Sequence, residues 1–314
     1  MPDESRPCRG AHYLCPVVAP WSAPDAHPVE PAIADQHTAT GDGERATPPA
    51  PVPAGATLVT HPLTRFDIVD TALDTIKAAP RVVLGATALF LVPFEVVSLA
   101  IRHDQLDVQD LNEVITPAWF VAVALRLVAL SFVTFAVARL VWAWQRGEAP
   151  GALAVAGEAL RRARVLLVAW VLVHVAELAA TVALFLPLLF VAPLLFAAVP
   201  AIAIEGCGPI AGMARSWRLG ARDAPLAIGG MIVVVVVTAI LSVSLSGLVY
   251  VSDTVFDTLG IGGAWVVAVA ISFATSMILL PFVAAASTLV YLDLRVRREG
   301  LDIELAADRH FDVA

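Results

Sequence analysis

Between residues 165 and 204 the chain runs for forty positions with only His174 and Glu177 able to ionise. As one helix this run would be about 60 Å long, twice the ~30 Å hydrocarbon thickness of a bilayer. It therefore has to fold back on itself. Pro187 and Pro193 mark the expected turn, giving one span over about 165–186 and another over about 190–205. Four further apolar stretches close to the required ~20 residues lie at about 82–101, 119–144, 226–250 and 265–292. The expected fold is all-α, a polytopic membrane bundle of six transmembrane helices. Trp119, Trp142 and Trp144 bracket the second span at the depth where amphipathic rings settle. Pro93, Pro200 and Pro281 fall inside spans, where a proline kinks a helix or breaks it beside a site.

Composition agrees with this reading. Hydrophobic residues make up 59% of the 314 and charged residues 15%, against about 25% charge in ordinary soluble domains, which excludes a soluble globular enzyme. Three cysteines, Cys8, Cys15 and Cys207, cannot build a disulfide framework. Residues 1–60 hold eleven of the 22 prolines and no apolar periodicity, so they read as a disordered, acidic cytoplasmic tail. Pro16, Pro20 and Pro24 interrupt the only stretch that resembles a signal peptide. Cys8, His12 and Cys15 lack the fourth ligand of a closed zinc site, and no metal or cofactor is expected. The membrane domain spans 61–305, and 306–314 form a short cytoplasmic tail.

The basic residues give the orientation. Eighteen of the 20 lie before the first span, between spans two and three, between spans four and five, or after span six. The opposite loops carry Arg102 alone among several aspartates, and Arg126 is inside a span. The positive-inside rule then places both termini in the cytoplasm. Arginines on both flanks of the 165–204 run also require an even number of crossings there. Lysine occurs once, at Lys77, a usage that points to a GC-rich bacterial genome and hence to a bacterial inner membrane.

Each arginine-rich segment opens with proline, continues as a short amphipathic helix and feeds a pair of spans. Pro62 and Thr64 precede Asp67 in a capping-box arrangement, and Phe66, Val69, Leu73 and Ile76 recur at helical spacing. Over 150–164, Leu153, Ala156 and Leu160 oppose Glu158, Arg161 and Arg162; over 209–222, Ile210, Met213 and Trp217 oppose Arg215, Arg218 and Arg222. Three cytoplasmic interfacial helices are expected, apolar face down, with arginines reaching anionic headgroups. Glu205, Arg215, Trp217 and Arg218 are the candidate inner-face contacts to lipid or partner. No nucleic acid is expected as a partner.

Ionisable residues within a span are costly and therefore functional candidates. Glu95, Arg126 and Glu177 lie at similar depths in the outer halves of their spans, so Arg126 can pair with either carboxylate or both. His174 lies one turn from Glu177. The cluster reads either as a structural salt bridge fixing helix register or as a proton or substrate relay. Gly229, Gly230, Ser242, Ser246 and Gly247, with Ser272 and Ser276, suit close helix packing. Phosphate-binding glycine loops, GxSxG and HExxH are all absent, and His103–Asp104 and His310 lack companions for catalysis.

The segments HPLTRFDIVDTALDTIKAAPRVVLG, PAIAIEGCGPIAGMARSWRLG and STLVYLDLRVRREGLDIEL together resemble the actinobacterial branch of the glycerophosphoryl diester phosphodiesterase membrane-domain family. The resemblance covers roughly 60–305, with Glu205, Arg215, Ser216 and Trp217 on the family's inner-loop pattern and Thr71 departing from a frequent glycine. In fused relatives, hydrolysis belongs to a separate barrel entered by His-Arg-Gly, a tripeptide this chain lacks. The resemblance implies an all-helical membrane module without phosphodiester hydrolysis. The expected role is a non-enzymatic module that organises cell-envelope partners, with a small transporter or exporter using Glu95, Arg126, His174 and Glu177 as the alternative.

Overall fold

A computed structural model describes residues 52–53, 59, 61–102, 116–183, 186–260 and 264–311. The expected tail, apart from 52–53 and 59, lies outside them, as do Cys8, His12, Cys15, His103 and Asp104. Among the described residues there are eleven helices and no strand. They are α1 (Arg65–Ala78), α2 (Pro80–Arg102), α3 (Pro117–Gln145), α4 (Ala152–Arg161), α5 (Ala163–Val182) and α6 (Leu188–Leu195). There follow α7 (Ala198–Glu205), α8 (Pro209–Arg222), α9 (Ala224–Thr258), α10 (Ala264–Glu299) and α11 (Leu301–Phe311). Six segments are long and apolar enough to cross a membrane: α2, α3, α5, α6 with α7, α9 and α10. The order short helix, span, span occurs three times, begun by α1, α4 and α8.

The fold-back in the long apolar run comes earlier than expected. α5 ends at Val182 and α6 begins at Leu188, so residues 188–193, expected in the turn, already belong to the next helix. Pro187 sits at the N-cap of α6, where a missing N–H costs nothing. The fourth span is two short helices. Pro200 cannot donate to the carbonyl of Phe196 and its ring crowds that turn, and the helix is interrupted at Phe196–Ala197. Gly206, with φ +67°, ends α7 in the left-handed conformation and turns the chain into α8.

The three short helices lie at one end of the bundle, here called the near end. Their hydrogen bonds fix this placement. The α4 residue Glu158 accepts from Arg139 Nε at 2.9 Å, and Arg215 of α8 reaches Glu299 at the end of α10. Leu63 N–H, just before α1, donates to Asp293 at 2.8 Å, and Arg297 Nη2 donates back to Leu63 O at 2.6 Å. Asp293 is fully buried, so this strap supplies partners that its carboxylate needs inside the protein. α3 and α10 pack on each other and carry most of the remaining contacts, with α2, α9, α1 and α7 around them. The core at their junction includes Phe135, Ala136, Phe282, Ala285 and Leu289, all nearly inaccessible.

The faces of the short helices differ from the simple two-sided expectation. The side of α1 packed on the bundle is Ile68, Thr71, Ala72 and Thr75, while Phe66, from the anticipated apolar stripe, is 75% exposed. In α4, Val155, Ala156 and Ala159 face the core and Leu153 is 79% exposed. In α8, Gly212, Arg215, Ser216 and Leu219 face the core while Ile210 is 72% exposed. Each helix therefore packs on the protein through a mixed face, small or polar residues beside Ile68, Val155 or Leu219, and leaves large apolar side chains such as Phe66, Leu153 and Ile210 outward. The reason is steric: small residues let a short helix approach the bundle closely, and a bilayer accepts the large ones.

Candidate functional site

The far half of the bundle contains a cavity of about 630 Å³ between α2, α3, α9 and α10. Arg126, on α3, joins Glu95, on the neighbouring α2, through Nε at 2.8 Å and Nη2 at 2.5 Å. The Nη2 group also reaches Ser272 Oγ of α10 at 3.5 Å. Both members of the pair line the cavity, and the Arg126 side chain keeps 40% of its exposure. Ser242, Ser246, Ser272 and Ser276 line it too, so the serines expected to serve close packing border open volume instead. Ser246 and Ser276 spend their protons on the carbonyls of Ser242 and Ser272 in their own helices, which leaves oxygen lone pairs as acceptors. Thr238 Oγ1, also on the lining, is buried without a hydrogen-bond partner among the described residues. Ser98 and Thr275 add further hydroxyls, and aliphatic side chains with Trp265 supply the remaining walls.

His174 and Glu177 do not join this pair. They lie on α5, which packs against α6, α8 and α3, and no ion pair or hydrogen bond links either side chain to Glu95 or Arg126 among the described residues. The His174 ring stands over Trp170 at 4.8 Å and its Nδ1 lies 2.8 Å from Trp170 O, which requires the proton on Nδ1. The anticipated four-residue cluster is thus a Glu95–Arg126 pair on a cavity and a separate His174–Glu177 neighbourhood. Similar depth did not bring Glu177 to Arg126 because α5, although it touches α3, contributes no residue to the cavity that the pair lines.

At the near end a second cavity, of about 1090 Å³, lies among α3, α4, α7, α8, α10 and α11. Glu205 and Arg215, expected at the membrane surface, are turned inward to its floor; their side chains keep 5% and 8% of their exposure. Arg215 donates to Glu205 from Nε at 2.6 Å and to both Glu299 oxygens at 2.5 Å from Nη1 and Nη2. Burial alone would push the guanidinium towards losing its proton. The Glu299 hydrogen bonds, then Tyr291 and Glu205, outweigh that and hold Arg215 above its ordinary range. Tyr291 also donates to Glu205 Oε1. Trp217 and Arg218 are exposed, and Arg218 also borders this cavity.

The sequence reading missed Tyr291, Asp293 and Glu299. Their signal was the spacing at the end of the last span, where Asp293–Arg297 and Arg295–Glu299 are both i,i+4 pairs and both form ion pairs, at 3.0 and 3.2 Å. Among the described residues no group of three His, Cys, Asp or Glu side chains is gathered as a metal ion would need. No protein-family model, curated protein or solved structure matches the chain.

Proposed function

We propose that this chain is a multi-pass protein of the bacterial inner membrane, near end in the cytoplasm, that binds and moves a small amphiphilic molecule without covalent chemistry. One observation carries the reading: the same helix core has a cavity at each end, and only a thin partition divides them. Leu130 of α3 lines the far cavity and Phe135 the near one, five residues apart, about 7.5 Å along the helix. A barrier that short, between two polar openings, suits access from one side at a time. In the far cavity the part-exposed Arg126, paired with Glu95, offers its remaining N–H donors, the hydroxyls offer hydrogen bonds and the aliphatic walls take an apolar body, the mixture usual for ligand sites.

This reading reverses the order of the two expectations from sequence. A purely partner-organising module calls for Glu95 and Arg126 sealed against each other, and an open cavity at the pair favours the transporter. The resemblance to the membrane-domain family, which implies a module without hydrolysis, is compatible with it.

The test replaces Cys8, Cys15 and Cys207 by serine and introduces single cysteines at 242, 272 and 276. A membrane-impermeant thiol reagent should label all three from the side opposite the termini. Cells carrying R126Q at wild-type protein levels should lose tolerance to a panel of amphiphilic anions, as a deletion strain does. Unreactive cysteines together with an unchanged tolerance profile would overturn the proposal.

A further inference from the structure

The near cavity has a chemistry of its own, and the inference drawn from it does not rest on the transport reading. Eight arginines and four glutamates line it. The glutamates are largely committed. Glu158 binds Arg139, Glu299 binds Arg215 and Arg295, and Glu304 binds Arg295. Three of the arginines have no carboxylate partner among the described residues: Arg162, Arg218 and Arg222. Arg218 donates only to the carbonyl of Ala214 in its own helix. A surplus of positive charge at the near end is what topology demands, but surface arginines satisfy that demand equally well. Here all three border one cavity, Arg218 and Arg222 as exposed side chains and the half-buried Arg162 beside the Gly206 turn.

A second observation comes from the floor. Glu205 Oε1 accepts from Arg215 and Tyr291, but its Oε2 is buried with no hydrogen-bond partner among the described residues. A buried carboxylate oxygen is costly when left unpaired. It accepts a hydrogen bond and repels bare negative charge.

We propose that the near cavity binds a phosphate-bearing ligand, its phosphate held by Arg162, Arg218 and Arg222 and a hydroxyl or amine of its organic part donating to Glu205. Guanidinium forks match phosphate oxygens in pairs, and three uncompensated cations suit a dianion better than a single carboxylate. The same chemistry is offered by a soluble phosphoester and by the headgroup of a lipid in the adjoining leaflet.

The full chain purified in detergent separates these sources. Its unfolding midpoint is followed on titration with inorganic phosphate, methyl phosphate and O-phosphoethanolamine against chloride at matched ionic strength. It is followed again in phosphatidylcholine nanodiscs with and without phosphatidic acid. Stabilisation by the soluble phosphates supports a soluble ligand; stabilisation by phosphatidic acid alone supports a headgroup. In either arm R162Q/R222Q should weaken binding roughly tenfold or more, whereas Arg81→Gln, outside the cavity, should leave it unchanged. Single R222Q, at an exposed residue, gives the same reading if the double variant folds poorly. No stabilisation by any probe, or a variant that responds like wild type, overturns the proposal. Equal affinity for O-phosphoethanolamine and methyl phosphate overturns the part assigned to Glu205.

Discussion

Arg215 and Glu299 face each other through two parallel hydrogen bonds of 2.5 Å, the guanidinium fork of α8 closing on the carboxylate that ends α10. With Nε on Glu205, this single side chain ties α7, α8 and α10 together.

Arg215→Ala should therefore be among the most damaging single changes at the near end. It strips the almost inaccessible Glu205 of its cation and leaves Glu299 with Arg295 alone, and breaking a buried pair in this way costs about 3–5 kcal/mol. Arg215→Lys should fall between, since an ammonium cannot serve a bidentate pair and a third bond together. Unfolding in detergent reads both, and wild-type stability in Arg215→Ala would contradict the arrangement.

Gly212 is where α8 touches α7. A Cβ there would overlap the Ile202 side chain and stand 3.3 Å from Ala198 O. Gly212→Ala should cost about 1–3 kcal/mol, the usual penalty of overpacking. Ile202→Ala makes room, so the pair of changes should cost less than the sum of the singles. Strict additivity would place the clash elsewhere.

Asp67 accepts from Thr64 N–H at 2.8 Å while Thr64 Oγ1 accepts from Asp67 N–H at 3.2 Å. These bonds, backbone first, hold the Asp67 carboxyl below its ordinary range. A depressed folded-state value means the contribution to stability is fully present above the unfolded value of ~3.9 and is lost as pH falls through the folded one. Amide protection in the first turn of α1 should fall as the medium is acidified through that window. Asp67→Asn should remove this pH dependence, and an identical acid response in the variant would assign it to another group.

Glu95 and Arg126 neutralise each other inside a span. Glu95→Gln or Arg126→Gln alone leaves one charge uncompensated, and both together leave none. Folded yield in membranes should thus be lower for each single variant than for the double. A double variant at or below the worse single would mean that the pairing does not matter to insertion.

The short-helix boundaries and the six spans could be read from sequence because they follow from local rules: proline at helix starts, the Thr64–Asp67 cap and the length of apolar runs. The 209–222 helix falls on its expected limits. Periodicity along one helix does not say which helices become neighbours, so Glu177 was placed with Arg126 when α5 contributes no residue to the cavity that the pair lines. Nor does it say which of three faces a short helix turns inward. Arg215 reads as a surface residue until Glu205 and Glu299, ten and 84 positions away, are brought to it. Cavities are the least legible feature of all, because Ser242 and Ser272 look alike whether they line a void or fill a contact.

Phe66, Leu153 and Ile210 point outward from α1, α4 and α8, one in each repeat of short helix and two spans. Three such footings on one leaflet define a plane. A protein resting on a single amphipathic helix can rock about it, but one resting on three cannot lean in any direction without lifting an apolar side chain out of the bilayer. With the near end seated on a bilayer, these three would set the depth and attitude of the whole bundle, and with them the level at which each cavity meets water or lipid, like a tripod on a floor.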